Sequence, residues 1–484
     1  MSEPLALPDH KTRIVATIGP ASSSPDVMRE LILAGMDVAR LNFSHGDLAT
    51  HGRVIAGLRA AAAAAGRRLA IMADLPGPKM RIGTIAPEPV ELRPGEAFTL
   101  TTRETTGDAH GASVKFARLP EAVRRGDMLF LNDGLIQLEV ESAAGEEVRC
   151  RVVVGGELRS RKGLNLPGID LGVSAFTARD RECLAFALAH GVDAVSQSFV
   201  GSAGDVAAVR EAAAAAGHHP FVIAKIERAG ALERIDEILA AADGVMVARG
   251  DLGVEIPIER IAVVQKDLIH RANVLGKPVI TATQMLESMV TQRRPTRAEA
   301  TDVANAILDG TDAVMLSEES AMGAFPAEAV AMLARIAAET EPHRSRVAQR
   351  EVLEAYAHDP SLATVDLIAI AVARTFRNAA PAAVFVPTVS GATARSITRF
   401  RLPVWIVAVS PHDATCQALQ LSYGVTTAHA AETPEDWNAF VRDWLARHGL
   451  SGEIALLTEG PSARHPEANN RMEIIELTRS SATT

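Results

Sequence analysis

Residues 221–253 read FVIAKIERAGALERIDEILAAADGVMVARGDLG. The spacing predicts a short apolar strand ending in Lys225-Ile-Glu227, then a helix, then a second apolar strand running into Arg249-Gly250-Asp251. Two wholly apolar strands joined through a helix belong in a buried parallel sheet. Strand side chains alternate between faces, so Lys225 and Glu227 point the same way, and Asp251 arrives from the end of the next strand. A lone Lys-x-Glu reads first as a surface ion pair. The second acid behind Gly250 makes the group a candidate site: one ammonium and two carboxylates can hold a divalent cation on hard oxygens and set a charge beside a phosphoryl group.

Working outward, similar apolar runs occur at 13–18, 37–41, 69–73, 194–198, 244–248, 278–281 and 313–316, separated by Ala-rich helical stretches such as 203–216 and 296–308. Eight strand–helix units predict an α/β fold, a (β/α)8 TIM barrel, with its chemistry at the C-terminal strand ends. The rhythm breaks after the third strand. From Gly77 to Gly168 short alternating segments (Phe98-Thr-Leu-Thr-Thr, Leu135-Ile-Gln-Leu-Glu-Val) are punctuated by turns at Arg93-Pro-Gly, Arg125-Gly-Asp and Val154-Gly-Gly. They predict an inserted all-β lid domain leaving from the active face. Beyond His343 a helix near 363–375, strands at 382–386 and 404–409 and further pairs through Thr458 predict a C-terminal α/β domain with a mostly parallel sheet. The expected domains are the barrel over 1–76 and 169–343, the lid over 77–168 and the C-terminal unit over 344–484.

Composition limits the partners. Of the 484 residues 48% are hydrophobic but only 4% aromatic, so Ala, Val, Leu and Ile do the packing. A formal charge of -10 argues against non-specific nucleic-acid binding. Cys150, Cys183 and Cys416 are widely spaced and fit no disulfide or metal pattern, which suits a reducing cytoplasm. The start MSEPLALPDHK has no signal-peptide core, and no run of about 20 apolar residues is long enough to cross a bilayer. A soluble cytoplasmic protein is expected.

Other strand ends carry polar groups. Arg40, Asn42 and Ser44 share a face in Arg40-Leu-Asn-Phe-Ser-His-Gly, the guanidinium suiting a phosphate. Asp74 closes the third strand, and Pro76-Gly-Pro-Lys79-Met-Arg81 follows as a rigid turn with two cations. Thr281-Ala-Thr283-Gln284 closes the seventh and offers hydroxyls; Ser317-Glu318-Glu319 closes the eighth.

The segments DVARLNFSHG, IAKIER, VARGDLGVEIP and TATQMLES resemble those of the pyruvate kinase family in order and spacing, as do LNDGLIQLEV and RKGLNLPG in the insertion. The resemblance implies transfer of phosphate from phosphoenolpyruvate to ADP, giving pyruvate and ATP, in the last step of glycolysis. It further implies a Mg2+ (or Mn2+) ion on Glu227 and Asp251, a phosphoryl-stabilising Lys225 and a phosphate-binding Arg40. Substrate-carboxylate contacts match the backbone of Gly250 and Asp251 and the Thr283 hydroxyl, with Thr283 also a candidate proton relay to the enolate. Nucleotide contacts match Asn42, Phe43, Ser44, His45, Arg81 and Lys162, and assembly is expected to be homotetrameric. A Mg2+–enolate lyase of the same barrel type stays open as an alternative, although it needs neither Lys225 nor Lys162.

Two departures from the family pattern matter. Relatives that need K+ hold it with residues matching Asn42, Ser44 and Asp74 and with a threonine backbone; here the threonine is Leu75, and Lys79 replaces a nearby glutamate. The pattern resembles the K+-independent branch, in which the ammonium substitutes for the ion. In the C-terminal unit, Thr388, Ser390, Gly391 and Thr393 resemble a sugar-phosphate effector loop, but Val389 and Ala392 stand where many relatives carry cations. A phosphorylated effector is expected, a sugar or nucleotide monophosphate rather than fructose 1,6-bisphosphate, with Arg464, His465 and Arg471 as further charges.

Overall fold

The computed structural model describes residues 7–169, 172–344, 362–460 and 469–477. Eight strands, Arg13–Thr17, Val38–Asn42, Ala70–Leu75, Ala194–Gln197, Phe221–Ile226, Gly244–Ala248, Val279–Ala282 and Ala313–Leu316, close into a parallel barrel. Each pairs with its neighbours in sequence, and the last returns to the first. Outward side chains such as Ile71, Val222 and Leu316 pack on the helices through Leu31, Leu58, Leu239 and Leu333. Inward side chains fill the barrel with Val15, Val38, Met72, Ile223, Met246, Ile280 and Met315, and Leu421 of the C-terminal unit closes its floor.

Two residues further along the same inward register, Val38 gives way to Arg40, Met72 to Asp74, Ala194 to Ser196 and Ile223 to Lys225. The barrel interior is thus apolar below and charged above. Sequence reading ended the third strand at Ala73 and the fifth at Lys225; both ladders continue, to Leu75 and Ile226. The reason is that Asp74 stays in register with Asn42 on one side and Ser196 on the other. Polarity that reads as a strand end is here the upper layer of the barrel.

The insertion forms a six-stranded sheet in the order Leu164–Asn165, Met128–Leu131, Ile136–Ala144, Glu147–Val154, Ala97–Thr101, Gly111–Ser113, with Val90–Leu92 and Gly156–Leu158 paired beside it. It also holds a short helix, Leu119–Ala122, absent from the all-β expectation. Phe98, Leu100, Leu138 and Val152 give it a core of its own. Its two connections to the barrel meet at Asp180. This buried carboxylate caps helix Ala178–Ala189 through Thr177, and its other oxygen accepts from the Gly77 amide at 2.8 Å. A Cβ on Gly77, at φ +65°, would stand 2.7 Å from the Phe199 ring.

The C-terminal sheet runs Val425–His429, Trp405–Ser410, Ala383–Pro387, Ile454–Glu459, Arg471–Glu476, parallel except for the antiparallel last strand. It docks on the floor of the barrel. Asp312, 1% exposed, accepts a two-pronged ion pair from Arg401 at 2.9 and 2.7 Å and the Tyr423 amide at 3.0 Å. Trp405 lies under Lys11 and Arg13, 5.7 and 5.8 Å from its ring centre. The three cysteines are buried and unpaired. Among the described residues no helix is long and apolar enough to cross a membrane.

Candidate active site

The charged layer at the upper end of the barrel is a closed network. Arg40 donates from Nε to Asp74 at 3.0 Å and from Nη1 to the Thr17 hydroxyl at 2.9 Å, and Thr17 in turn donates to the Leu316 carbonyl. Ser196 donates to the other Asp74 oxygen at 2.7 Å. The Lys225 ammonium lies 2.8 Å from Glu227 Oε1, 2.8 Å from the Ser198 hydroxyl and 3.3 Å from Asp74. The amide of Phe199 completes Glu227 at 2.7 Å.

Buried charges persist only when paired and hydrogen-bonded, and here they are. Burial alone would raise the Asp74 carboxyl, but Lys225, Arg40 and Ser196 together hold it below the ordinary carboxylate range. Burial works against the Lys225 ammonium, yet Asp74 and Glu227 outweigh it and keep it charged. For Glu227 burial prevails: with Asp251 adding repulsion, its pKa is pushed up against the pull of Lys225 and the Phe199 amide.

The Arg249-Gly-Asp turn supplies the other wall, and each residue has a separate task. Arg249 donates to the Ala282 carbonyl at 3.1 Å and the Thr283 carbonyl at 2.8 Å, and is itself anchored by Asp302. Thr283 and Gln284 are thereby held at φ +74° and +56°, a backbone region a β-branched residue rarely adopts. Gly250 makes room: a Cβ there would stand 2.7 Å from the Thr283 methyl. Asp251 and the Gly250 amide open the helix Arg249–Glu255, whose first-turn N–H groups have no partner within the helix. Thr281, also read as offering a hydroxyl, is instead fully buried and bonded to Thr311 at 3.0 Å. The left-handed turn after Ala282 breaks the alternation that would have put the two threonines on one face.

On the opposite side, the Ser44 amide donates to the Asn42 side chain at 3.1 Å, and Phe43 is buried in a stack on His51, 4.3 Å between rings. Phe43 therefore contributes backbone rather than ring to this rim. Burial, then Arg81, Lys79 and Arg40, lower the pKa of His45 and favour the neutral ring. Arg81 bridges through its backbone to Gly163 and donates to the Arg161 carbonyl at 3.3 Å, which sets it next to Lys162 at the root of the insertion. Lys79 extends toward Asp251, 4.0 Å away, rather than to Asn42 or Asp74. Sequence reading passed over Thr17, Ser196, Ser198 and Arg249. The alternation in Ala194-Val-Ser196-Gln-Ser198 was the available signal for two of them.

In the C-terminal loop, the Thr388 hydroxyl accepts from the Gly391 amide at 2.8 Å, and Gly391, at φ +81°, opens helix Ala392–Thr398 beside Ser390 and Thr393. Arg395 donates to the Ser390 carbonyl at 2.7 Å, a cation the sequence reading did not consider. Arg471 is engaged by Glu459 and by Glu473, the latter at 2.8 Å, so it is not available to this loop. Arg464 and His465 lie outside the described residues.

The donor set fits a small hard dication. Glu227 and Asp251 are two carboxylates at one rim, and among the described residues no group of three or more candidate ligands exists. Mg2+ is commonly held by one or two carboxylates, with water and substrate oxygens filling the remaining positions.

A parallel eight-stranded barrel with buried cations and two acids at its C-terminal rim defines an α/β-barrel enzyme, and its class is phosphotransferase. The model of the pyruvate kinase barrel domain matches residues 9–330, and that of the pyruvate kinase alpha/beta domain residues 366–475. The chain belongs to the pyruvate kinase family. It is 50% identical over 481 residues to the pyruvate kinase of Thermococcus litoralis, covering 98% of this chain and 100% of that one. To the pyruvate kinase of Geobacillus stearothermophilus it is 43% identical over 475 residues, 96% of this chain and 80% of that one. The crystal structure of a pyruvate kinase from Cryptosporidium parvum superposes with a TM-score of 0.89 at 34% identity, over 97% of this chain and 96% of that one.

Proposed function

We propose that the rim catalyses the transfer of the phosphoryl group of phosphoenolpyruvate to ADP, giving pyruvate and ATP, in the cytoplasm. The observation that carries this reading is the pair of buried cations, Arg40 and Lys225, sharing one carboxylate, Asp74, beside Glu227. Fixed charges of this kind need no reorganisation as charge develops on a transferring phosphoryl group. Arg40 and Lys225 would bind it, the amides of Gly250 and Asp251 and the Thr283 hydroxyl would take the substrate carboxylate, and Thr283 would relay a proton to the enolate through water. Glu227 and Asp251 would hold Mg2+, which when bound supplies Lewis-acid neutralisation of the phosphoryl and enolate oxygens. Asn42, the Phe43 backbone, Ser44, His45, Arg81 and Lys162 would receive the nucleotide, with the insertion over 77–168 acting as a lid that excludes water. A coupled assay of pyruvate formation tests the reading: product must require phosphoenolpyruvate, ADP and a divalent ion together. Product without a nucleotide would point to the lyase instead.

Lys79 supports independence from K+. Its ammonium stands at the exposed rim 4.0 Å from Asp251, so a tethered charge beside the site would take over the electrostatic work of a free ion. Near-full activity is expected in buffers whose only monovalent cation is a bulky organic one, and partial K+ dependence in Lys79→Glu. Stimulation of the unmodified enzyme by K+ of about tenfold or more, at saturating substrates, would show that the tethered charge does not substitute for the ion.

The loop at Thr388, Ser390, Gly391 and Thr393 is a candidate effector site for a phosphate monoester, the hydroxyls gathered at its helix start and Arg395 being the groups that favour it. Calorimetry with sugar and nucleotide monophosphates on the full chain should detect binding that weakens in Ser390→Glu; no heat with any of them rejects the site. A homotetramer is the expected assembly, and Ile258 and Val263, 69% and 68% exposed, are apolar side chains that assembly would cover. Sedimentation velocity giving a monomer would overturn it.

A further inference from the structure

The floor of the barrel, opposite the candidate active site, holds a cavity of about 400 Å³ between the barrel and the C-terminal unit. Its walls come from the segment before the first strand (Asp9, Lys11), the end of the last barrel helix (Glu341, Arg344) and two C-terminal loops (Arg399 to Arg401, Tyr423). Residues at the floor of such barrels ordinarily serve stability, and most of the charges here do so. Arg401 is taken by Asp312, Arg399 by Asp366 and Asp309 by Lys266. Glu341 is spent on the main-chain amides of Lys11 and Thr12, at 2.9 and 2.6 Å, and on the Thr12 hydroxyl. Asp9 and His270 stand exposed at the mouth.

Two cations remain. Arg344 donates from Nε to the Ile307 carbonyl at 2.8 Å and stacks on Tyr423, 4.3 Å from the ring centre, but among the described residues its buried Nη1 and Nη2 have no hydrogen-bond partner. The Lys11 ammonium, its neighbour, lies over Trp405 and is in no ion pair among the described residues. Burial presses on both: it lowers the pKa of Lys11, with Arg344 adding to the effect against the pull of Glu341, and it lowers that of Arg344. Among the described residues Tyr423 is the one polar neighbour that interacts with this edge, and buried N–H donors that have lost water without a well-formed hydrogen bond are costly. The cavity is roomy enough for a small metabolite, and among the described residues no carboxylate forms an ion pair with that edge or with the second ammonium.

We propose that this cavity binds a small phosphate-bearing metabolite, its phosphate meeting the free edge of Arg344 and the Lys11 ammonium. Geometry favours a phosphate: a planar guanidinium edge and an ammonium together can meet several oxygens of one phosphate, whose charge exceeds that of the single carboxylate Glu341 already beside them. The volume exceeds that of phosphate alone, and Phe400, Pro342 and Pro403 offer apolar surface to the remainder of the molecule. The site is separate from the loop at Thr388–Thr393 and from the rim, so variants distinguish the three.

The test is calorimetric titration of the full chain with inorganic phosphate, then with a panel of phosphate monoesters. Affinity of one phosphate site should fall by roughly 10- to 100-fold in Arg344→Gln and again in Lys11→Met, the worth of one charge-assisted hydrogen bond. The same site should persist in Ser390→Glu and in an Arg40→Gln variant. Thermal melting gives a second readout. Arg344→Gln removes a buried charge but also the Ile307 hydrogen bond and the Tyr423 stack, so the expected signature is differential: added phosphate should raise the melting temperature of the parent more than that of the variant. Titrations of Arg344→Gln and Lys11→Met that superimpose on the parent, or a melting deficit in Arg344→Gln that is the same with and without phosphate, would overturn the proposal.

Discussion

Replacing Lys225 by methionine should lower turnover by roughly 10²–10³-fold, while phosphoenolpyruvate should still bind. The ammonium sits between Glu227 and Asp74 with Ser198 fixing its approach, so its position is set before substrate arrives. A charge so placed acts on the transferring group more than on ground-state affinity, and Arg40 remains to hold the phosphate. The loss should therefore fall on kcat, with KM within a few-fold of the parent. Removing one member of a buried charge cluster also costs stability, about 3–5 kcal/mol for an isolated pair. Melting curves are needed so that turnover is expressed per folded molecule. A folded Lys225→Met enzyme working within a few-fold of the parent would remove Lys225 from its assigned role.

Glu227→Gln should raise the divalent-ion concentration giving half-maximal activity by roughly tenfold or more, as expected for losing one charged ligand. The amide oxygen can still accept from the Phe199 amide, so the local backbone keeps its anchor. The altered group is the one facing Lys225, which would turn wholly to Asp74 and Ser198. Direct binding of Mn2+, followed by its paramagnetic signal without substrate, separates a weakened ion site from a damaged enzyme. An unchanged metal titration by both methods removes Glu227 from the ion.

How legible this site was in the chain depended on how local each relation is. Lys225 and Glu227 could be put on one face because two residues of strand determine it, and the ion pair between them follows. The apolar runs marked all eight strands because both faces of a barrel strand are buried. Asp74 was another matter. Its partners come from the second, fourth and fifth strands, and nothing nearby in sequence says that it neutralises Arg40 and Lys225 at once. Thr283 was singled out with Thr281, but a positive φ at Thr283 separates them, and that angle depends on Arg249 reaching across from the neighbouring strand. The apolar core is written in the spacing of single segments. The charged layer is written in the register between them.

The placement of Trp405 beneath Lys11 and Arg13 has a spectroscopic consequence. All three tryptophans, Trp405, Trp437 and Trp444, belong to the C-terminal unit, and the barrel and its insertion contain none. Emission excited in the indole band thus comes from one end of the molecule only. Trp437 and Trp444 pack against Phe440 and Phe385 within that unit, whereas Trp405 touches cations carried by the barrel. Loosening the joint would strip those charges from its ring and change its quantum yield and wavelength, leaving the other two as an internal standard. The chain carries its own optical gauge of docking between its two halves, with no label attached.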